Sequence, residues 1–288
     1  MKTTSIRIYL FVAVLLTSLY ACNSEDNPTI ATCLLTSTTD QLVEQSGQLT
    51  DELKRTFTYT SSTLTSLAEK STSKEAAFQV EYANSQVIRA TSGQDVVALA
   101  YGTGTRPSSS TFSRGGATMS TFAMDYDASG RMTKITEDRQ VLPANSLTKQ
   151  RAFTFTYDAD GNLTNERVRF TLTDGSVVEQ ETEYTFDAKP SPYKRFSELS
   201  LLTAVALSQA VETRPSRFWH INAPISLKSY NLTSTGTRSN LRESSTFAPV
   251  YDSDNKLMNQ DQNALLYQAS VPTPVTKKNR QTFTYSCM

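Results

Sequence analysis

Between Phe153 and Phe170 the chain reads FTFTYDADGNLTNERVRF, and this stretch restricts the fold more than any other. Phe153, Phe155 and Tyr157 alternate with Thr154 and Thr156. Side chains of an extended strand point to opposite faces in turn, so the aromatics share one face and the threonines the other. Asp158, Ala159, Asp160 and Gly161 follow. Asp accepts local backbone hydrogen bonds and Gly takes positive φ without a Cβ clash, so these four residues predict a turn. The chain returns with Val168, Phe170 and Leu172 alternating. Together the parts predict a β-hairpin with one apolar face. A lone hairpin is marginal in water, so its apolar face needs neighbours.

The sequence supplies them. FAMDYDASGRMTKI (122–135) repeats the pattern closely, with Gly130 at the turn. VYDSDNKLMN (250–259) has Asn255 in place of the glycine, and Asn also tolerates the left-handed region. FTYTSSTLTSL (57–67) and VEYANSQVIRA (80–90) keep the aromatic and the later apolar residue without the Asp. YTFDAKPSPY (184–193) keeps Phe186 and Asp187, then places two prolines where the turn would be, and TFTYSC (282–287) is a final strand. These units resemble YD repeats of the RHS type. Tyr126-Asp127-Gly130-Met132 and Tyr157-Asp158-Gly161-Leu163 carry the pattern most fully. The resemblance implies hairpins joined edge to edge in one continuous antiparallel sheet. The expected fold is therefore mostly β, a repeat-built antiparallel sheet in the form of a curved meander of hairpins, with one short packed helix.

That helix is expected in SELSLLTAVALSQAVE (197–212), which is rich in helix formers. Leu199, Leu202, Val205 and Ala206 make an apolar face, Leu201 and Leu207 lie off it, and Ser197 is placed to cap the N-terminus. The glycine- and serine-rich stretch 102–116 reads as a long loop.

The N-terminus reads as a processing signal. Lys2 and Arg7 precede an apolar run from Ile8 to Leu19, too short for a span of roughly 20 residues but of signal-peptide length. Leu19-Tyr20-Ala21-Cys22 resembles the lipobox of bacterial lipoproteins, with Tyr20 where a small residue is usual. The resemblance implies a signal peptide over 1–21, lipidation of Cys22, a tether over 22–30 and a β domain over 31–288. Glu25 and Asp26 in NSEDNP look like the export signal of Bacteroidota-type surface lipoproteins. This implies an outer-membrane anchor, facing the periplasm or the cell exterior, with the membrane as partner through the lipid.

Lys plus Arg and Asp plus Glu balance at 28 each, and no basic patch points to nucleic acid. His220 is the sole histidine and stands beside the sole tryptophan, Trp219. No GxSxG motif accompanies it, so a packing role is favoured over a catalytic triad and no catalytic residue is assigned. One histidine and no close cysteine pair cannot supply a zinc site. DADGN (158–162) alternates oxygens as calcium loops do. However, Gly161 is fourth rather than sixth and Arg169 stands where a bidentate acid is needed, so a turn is favoured and no metal or cofactor is expected. Exposed aromatics could bind a glycan, although alternation with threonine favours a core role. Lipidation of Cys22 would leave Cys33 and Cys287. A bond between them would require the sheet to curl until its ends meet, whereas free thiols would accompany an open sheet. The function expected is a lipid-anchored β scaffold or binding protein. The alternative is a surface glycan-binding protein or an enzyme acting on an external polymer.

Overall fold

The computed structural model describes residues 33–268 and 271–287. The signal peptide, Cys22 and the tether lie outside the described residues. Residues 34–286 form one compact unit. Outside it, the described residues are Cys33 and Cys287, which are joined by a disulfide with Cα atoms 3.9 Å apart.

Sixteen strands follow one another. The first eight are β1 (Cys33–Val43), β2 (Leu49–Thr60), β3 (Thr63–Ser71), β4 (Glu75–Ala83), β5 (Gln86–Ser92), β6 (Asp95–Tyr101), β7 (Pro107–Arg114) and β8 (Ala117–Tyr126). Then come β9 (Met132–Arg139), β10 (Thr148–Tyr157), β11 (Leu163–Leu172) and β12 (Val177–Pro190). A helix, α1 (Leu199–Ser208), and a 3₁₀ turn (Pro215–Phe218) precede β13 (Asn222–Leu232), β14 (Arg238–Tyr251), β15 (Leu257–Leu266) and β16 (Val275–Cys287). Each strand pairs antiparallel with its sequence neighbours, and β16 returns to β1, closing a barrel. Side chains support the seam, where the Thr36 and Ser37 hydroxyls meet that of Thr284.

Closure corrects the expected meander. An open sheet of twisted strands leaves two edges of unpaired N–H and C=O groups, and joining them satisfies both. The stretch 102–116 also differs from its reading as a loop, because Pro107–Arg114 pairs on both sides as β7. Ser and Thr dominate that strand, and Ser110 and Phe112 point inward at 2% and 4% exposure.

The alternation seen in the sequence decides which way the wall faces. On β2, Leu53, Arg55 and Phe57 are buried while Lys54, Thr56 and Thr58 are exposed. On β10, Arg151, Phe153 and Phe155 are buried, while Thr154 and Thr156 face outward. Along the middle of the barrel the outer face is mostly Thr, Ser and charged or amide side chains with scattered Ala and one Val, Val96, tied across strands by pairs such as Arg89–Glu81, Arg238–Glu181 and Arg280–Asp261. Exposed large apolar residues gather towards the strand ends and turns, among them Ile88, Val250, Met258, Val141 and Leu147. The hydrophobic core therefore lies inside the barrel.

Candidate functional site

A barrel of this strand number encloses a lumen wider than its own wall side chains can fill. Here the connection between β12 and β13, residues 191–221, fills it. The prolines that replace the turn in YTFDAKPSPY mark its entrance. α1 has eight consecutive buried residues, Ser200 to Leu207, so it has no solvent face. That explains why Leu201 and Leu207 lay off the expected stripe, since a helix enclosed on all sides needs apolar residues all round. The helix is shorter than the 197–212 expected and lies within the barrel rather than on a sheet. Its N-cap is Glu198, which makes no side-chain capping bond. Ser197 instead donates to the Glu198 carboxylate, 2.6 Å away.

Three interior layers hold this plug. At one end of the barrel stand the repeat tyrosines, each the last inward residue of a strand. Tyr82 donates to the Leu64 carbonyl, Tyr101 to Val87, Tyr157 to Met132 and Tyr285 to Leu257. Each acceptor is the apolar residue that opens the returning strand of the preceding hairpin, and Tyr59 makes the same bond to Leu35. The repeated tyrosine is thus a clasp between successive hairpins. Three units depart from this, and in one of them Tyr251 donates to the Asp187 carboxylate at 3.1 Å. Tyr126 shares a 2.9 Å bond with Ser200 of α1, and Phe186, at the plug entrance, has no hydroxyl to offer. The repeated Asp builds the turn itself. Asp127 accepts from the Ser129 and Arg131 amides, Asp158 from Asn162, and Asp252 from Asp254 and Lys256. Gly130, Gly161 and Asn255 have φ of 75°, 86° and 61°. The Asp158 carboxylate is occupied by its own turn, and no cluster suited to a metal occurs among the described residues.

Below the tyrosines lies a layer of Phe, Leu, Met and Ile around α1. Below that comes an ionic layer. Arg151 pairs with Glu137 and also donates to the Leu207 carbonyl at 3.1 Å, placing a cation at the negative end of α1. Gln209 donates to Asp95, which also pairs with Arg114. Arg55 bonds Glu69 at 2.7 Å and faces Glu212. Arg217 makes two bonds to Asp40, at 3.0 and 2.9 Å. Burial alone would push the Asp40 carboxyl up, but the Arg217 guanidinium holds it below the usual range. Arg214 pairs with Glu243. Glu166 accepts from Ser216 and Tyr184, and burial pushes its carboxyl up to about 7 against those bonds. These partners come from strands all round the barrel, so the plug is bolted to the wall on every side. The ionic residues carried a signal in the sequence: Arg55, Arg151, Glu69 and Glu137 sit two residues from an inward aromatic or aliphatic, on the same face.

Trp219 donates its indole N–H to Thr203 at 3.1 Å, which ties the returning limb of the plug to α1. His220 is 3% exposed, with its ring 4.7 Å from Tyr184 and 5.0 Å from Phe186. Burial, with the Arg217 charge nearby, pushes it down to about 3, so the imidazole is neutral at physiological pH. Its Nδ1 has no hydrogen-bond partner among the described residues, so no acid orients the ring through that atom. Beside the plug, on the β13–β16 side, lies a partly open cavity of 220 Å³ lined by Tyr184, His220, Phe247, Gln260, Gln281 and Phe283 among others. It is the candidate site.

No protein-family model matches the chain, and no curated protein matches it. Solved structures do. The crystal structure of a porin-like protein from Bacteroides uniformis aligns with a TM-score of 0.54 and 13% identity, covering 87% of this chain and 95% of that one. A porin-like protein from Bacteroides vulgatus aligns at 0.52 and 14%, covering 88% and 99%. At such identities the likeness is one of fold.

Proposed function

We propose that this chain is a water-exposed β-barrel held at the outer membrane by a lipid on Cys22, with a scaffold or binding role. The polarity of its wall carries the reading. A barrel that crosses a membrane presents an outward apolar band about 25 Å tall. Here the middle of the outer face is mostly Thr, Ser and charged pairs, and the apolar face is turned onto a plug. Such a wall belongs in water, so attachment falls to the N-terminal segment. The lipobox-like LYAC and the acidic pair after it support that assignment. The repeated hairpins then serve construction, most of them clasped by a tyrosine to the strand before.

Two measurements test this. Metabolic labelling with radioactive palmitate is expected to mark the wild type and not Cys22→Ser. Proteolysis of the tether between residues 23 and 32 is expected to release the barrel from washed membranes without detergent. A barrel that stays with the membrane after tether cleavage would show that its wall, not a lipid, holds it there.

A further inference from the structure

The cavity beside the plug owes its existence to residue choice on the last four strands. Where β8 and β10 turn Phe122, Met124, Phe153 and Phe155 inward, β13 to β16 turn in Ala223, Ser229, Ser245, Gln260 and Gln281. α1 packs towards β6 and β7, so the space opens on the opposite side. Its walls have two characters. Tyr184, Phe247 and Phe283 supply apolar rings. Gln260, Gln262 and Gln281 supply amides: Gln260 donates to Gln281 and Gln281 to Asp40, while Gln262 donates to Ser245 and Glu243.

The charges at the cavity are already spent on each other. Arg214 is paired with Glu243, and Arg217 with Asp40 and Glu212. An anion would meet Arg214 and Arg217 with their charges already balanced by carboxylates, and a cation would meet two arginines beside carboxylates that are already paired. What is left over is neutral. The Oε1 of Gln260, a residue 4% exposed, and the Nδ1 of His220, a residue 3% exposed, have no hydrogen-bond partner among the described residues. A buried polar atom without a partner costs free energy, and sites shaped this way select ligands that complete the bond. The amide oxygen is an acceptor. The neutral imidazole presents one acceptor and one donor nitrogen, and a hydroxyl suits either.

We infer that this cavity binds a small neutral polyol the size of one sugar ring, with its carbon face against Phe247, Phe283 and Tyr184 and its hydroxyls bonded to Gln260 and His220. The inference is independent of how the barrel is attached to the membrane.

Saturation-transfer NMR and equilibrium dialysis on the full chain test it, with glucose, galactose, mannose and xylose as probes and glucuronate and glucosamine as charged counterparts. At least one neutral sugar is expected to bind saturably, with both charged sugars at least roughly tenfold weaker, the worth of one buried polar mismatch. Ring resonances of Tyr184, Phe247 and Phe283 are expected to shift on titration. Gln260→Leu is expected to weaken binding by about tenfold, the loss of one hydrogen bond. Absence of saturable binding by every neutral probe would overturn the proposal. So would equal binding of the charged sugars, undiminished binding by Gln260→Leu, or resonance shifts confined to the outer wall. If Gln260→Leu does not fold, the shift map on the unmodified protein decides.

Discussion

At the residue scale, two kinds of position have measurable consequences, turn glycines and a buried carboxyl. Gly161 combines a φ of 86° with a crowded surrounding, since a Cβ there would come 2.7 Å from Cδ1 of Ile221 in the plug. Gly175 has φ of 87° but nothing within 4 Å. Gly175→Ala is therefore expected to cost about 1 kcal/mol, the backbone penalty alone. Gly161→Val adds a steric clash and is expected to cost about 2 kcal/mol or more, read as the difference in denaturant midpoint. Glu166 makes the second case. Its carboxyl is raised to about 7 from an ordinary 4.5, so between those values the folded state binds more protons than the unfolded one. Stability contributed by this group is thus fully present below the unfolded value and is lost as pH rises towards 7. The penalty above pH 7 is on the order of 3 kcal/mol. Glu166→Gln is expected to flatten the fall in unfolding midpoint between pH 4.5 and 7.5. An unchanged slope would show that another group sets it.

At the element scale, the tyrosine clasps and the plug separate cleanly. Tyr157→Phe removes only the bond to the Met132 carbonyl and is expected to lower stability by about 1 kcal/mol. Tyr82→Phe and Tyr285→Phe belong to other hairpins, so the three losses are expected to add in urea titrations of the combined variant. In the plug, Leu202 is fully buried. Leu202→Ala leaves a cavity between helix and wall, and about 3 kcal/mol is the expected loss by the same measurement. The hairpins and their turns were legible in the sequence because each is a local matter: an alternating strand, an Asp that bonds its own turn, a residue that accepts positive φ. The helix was legible in kind but not in place. Nothing in 197–212 says that barrel wall surrounds it, because a helix buried on all sides and a helix packed on one differ only in their neighbours. Its Ser197 cap failed because the plug's entry geometry puts Glu198 at the boundary.

At the scale of the whole molecule, the chain is closed twice, once by pairing of β16 with β1 and once by the bond between Cys33 and Cys287. The cysteines are 254 residues apart in sequence. In the chain-entropy account a loop of that size restricts the unfolded chain by up to about 5 kcal/mol. The double variant Cys33→Ser, Cys287→Ser is expected to lose a large part of that in guanidinium titrations, with peptide mass spectrometry under non-reducing conditions recovering the joined peptides from the wild type. Full stability in the double variant would show that strand pairing alone closes the barrel.

The sequence by itself determined the repeat hairpins, their turns, and the division of their strands into an apolar and a polar face, because these depend on residues within a few positions of one another, whereas β7 was hidden in a stretch that reads as a loop. The inward parity of Arg55, Glu137 and Arg151 was carried in the sequence as well, in the apolar residue two positions from each, but went unread. Only the tertiary structure decided that the sheet closes, that the apolar face turns in, and that residues 191–221 enter the lumen. The physical reason is that an alternating strand is equally content in an open sheet, a sandwich or a barrel. Closure depends on the sum of twist over sixteen strands, and the partners that Arg214, Arg217 and Glu166 find between plug and wall exist only once the barrel encloses the plug.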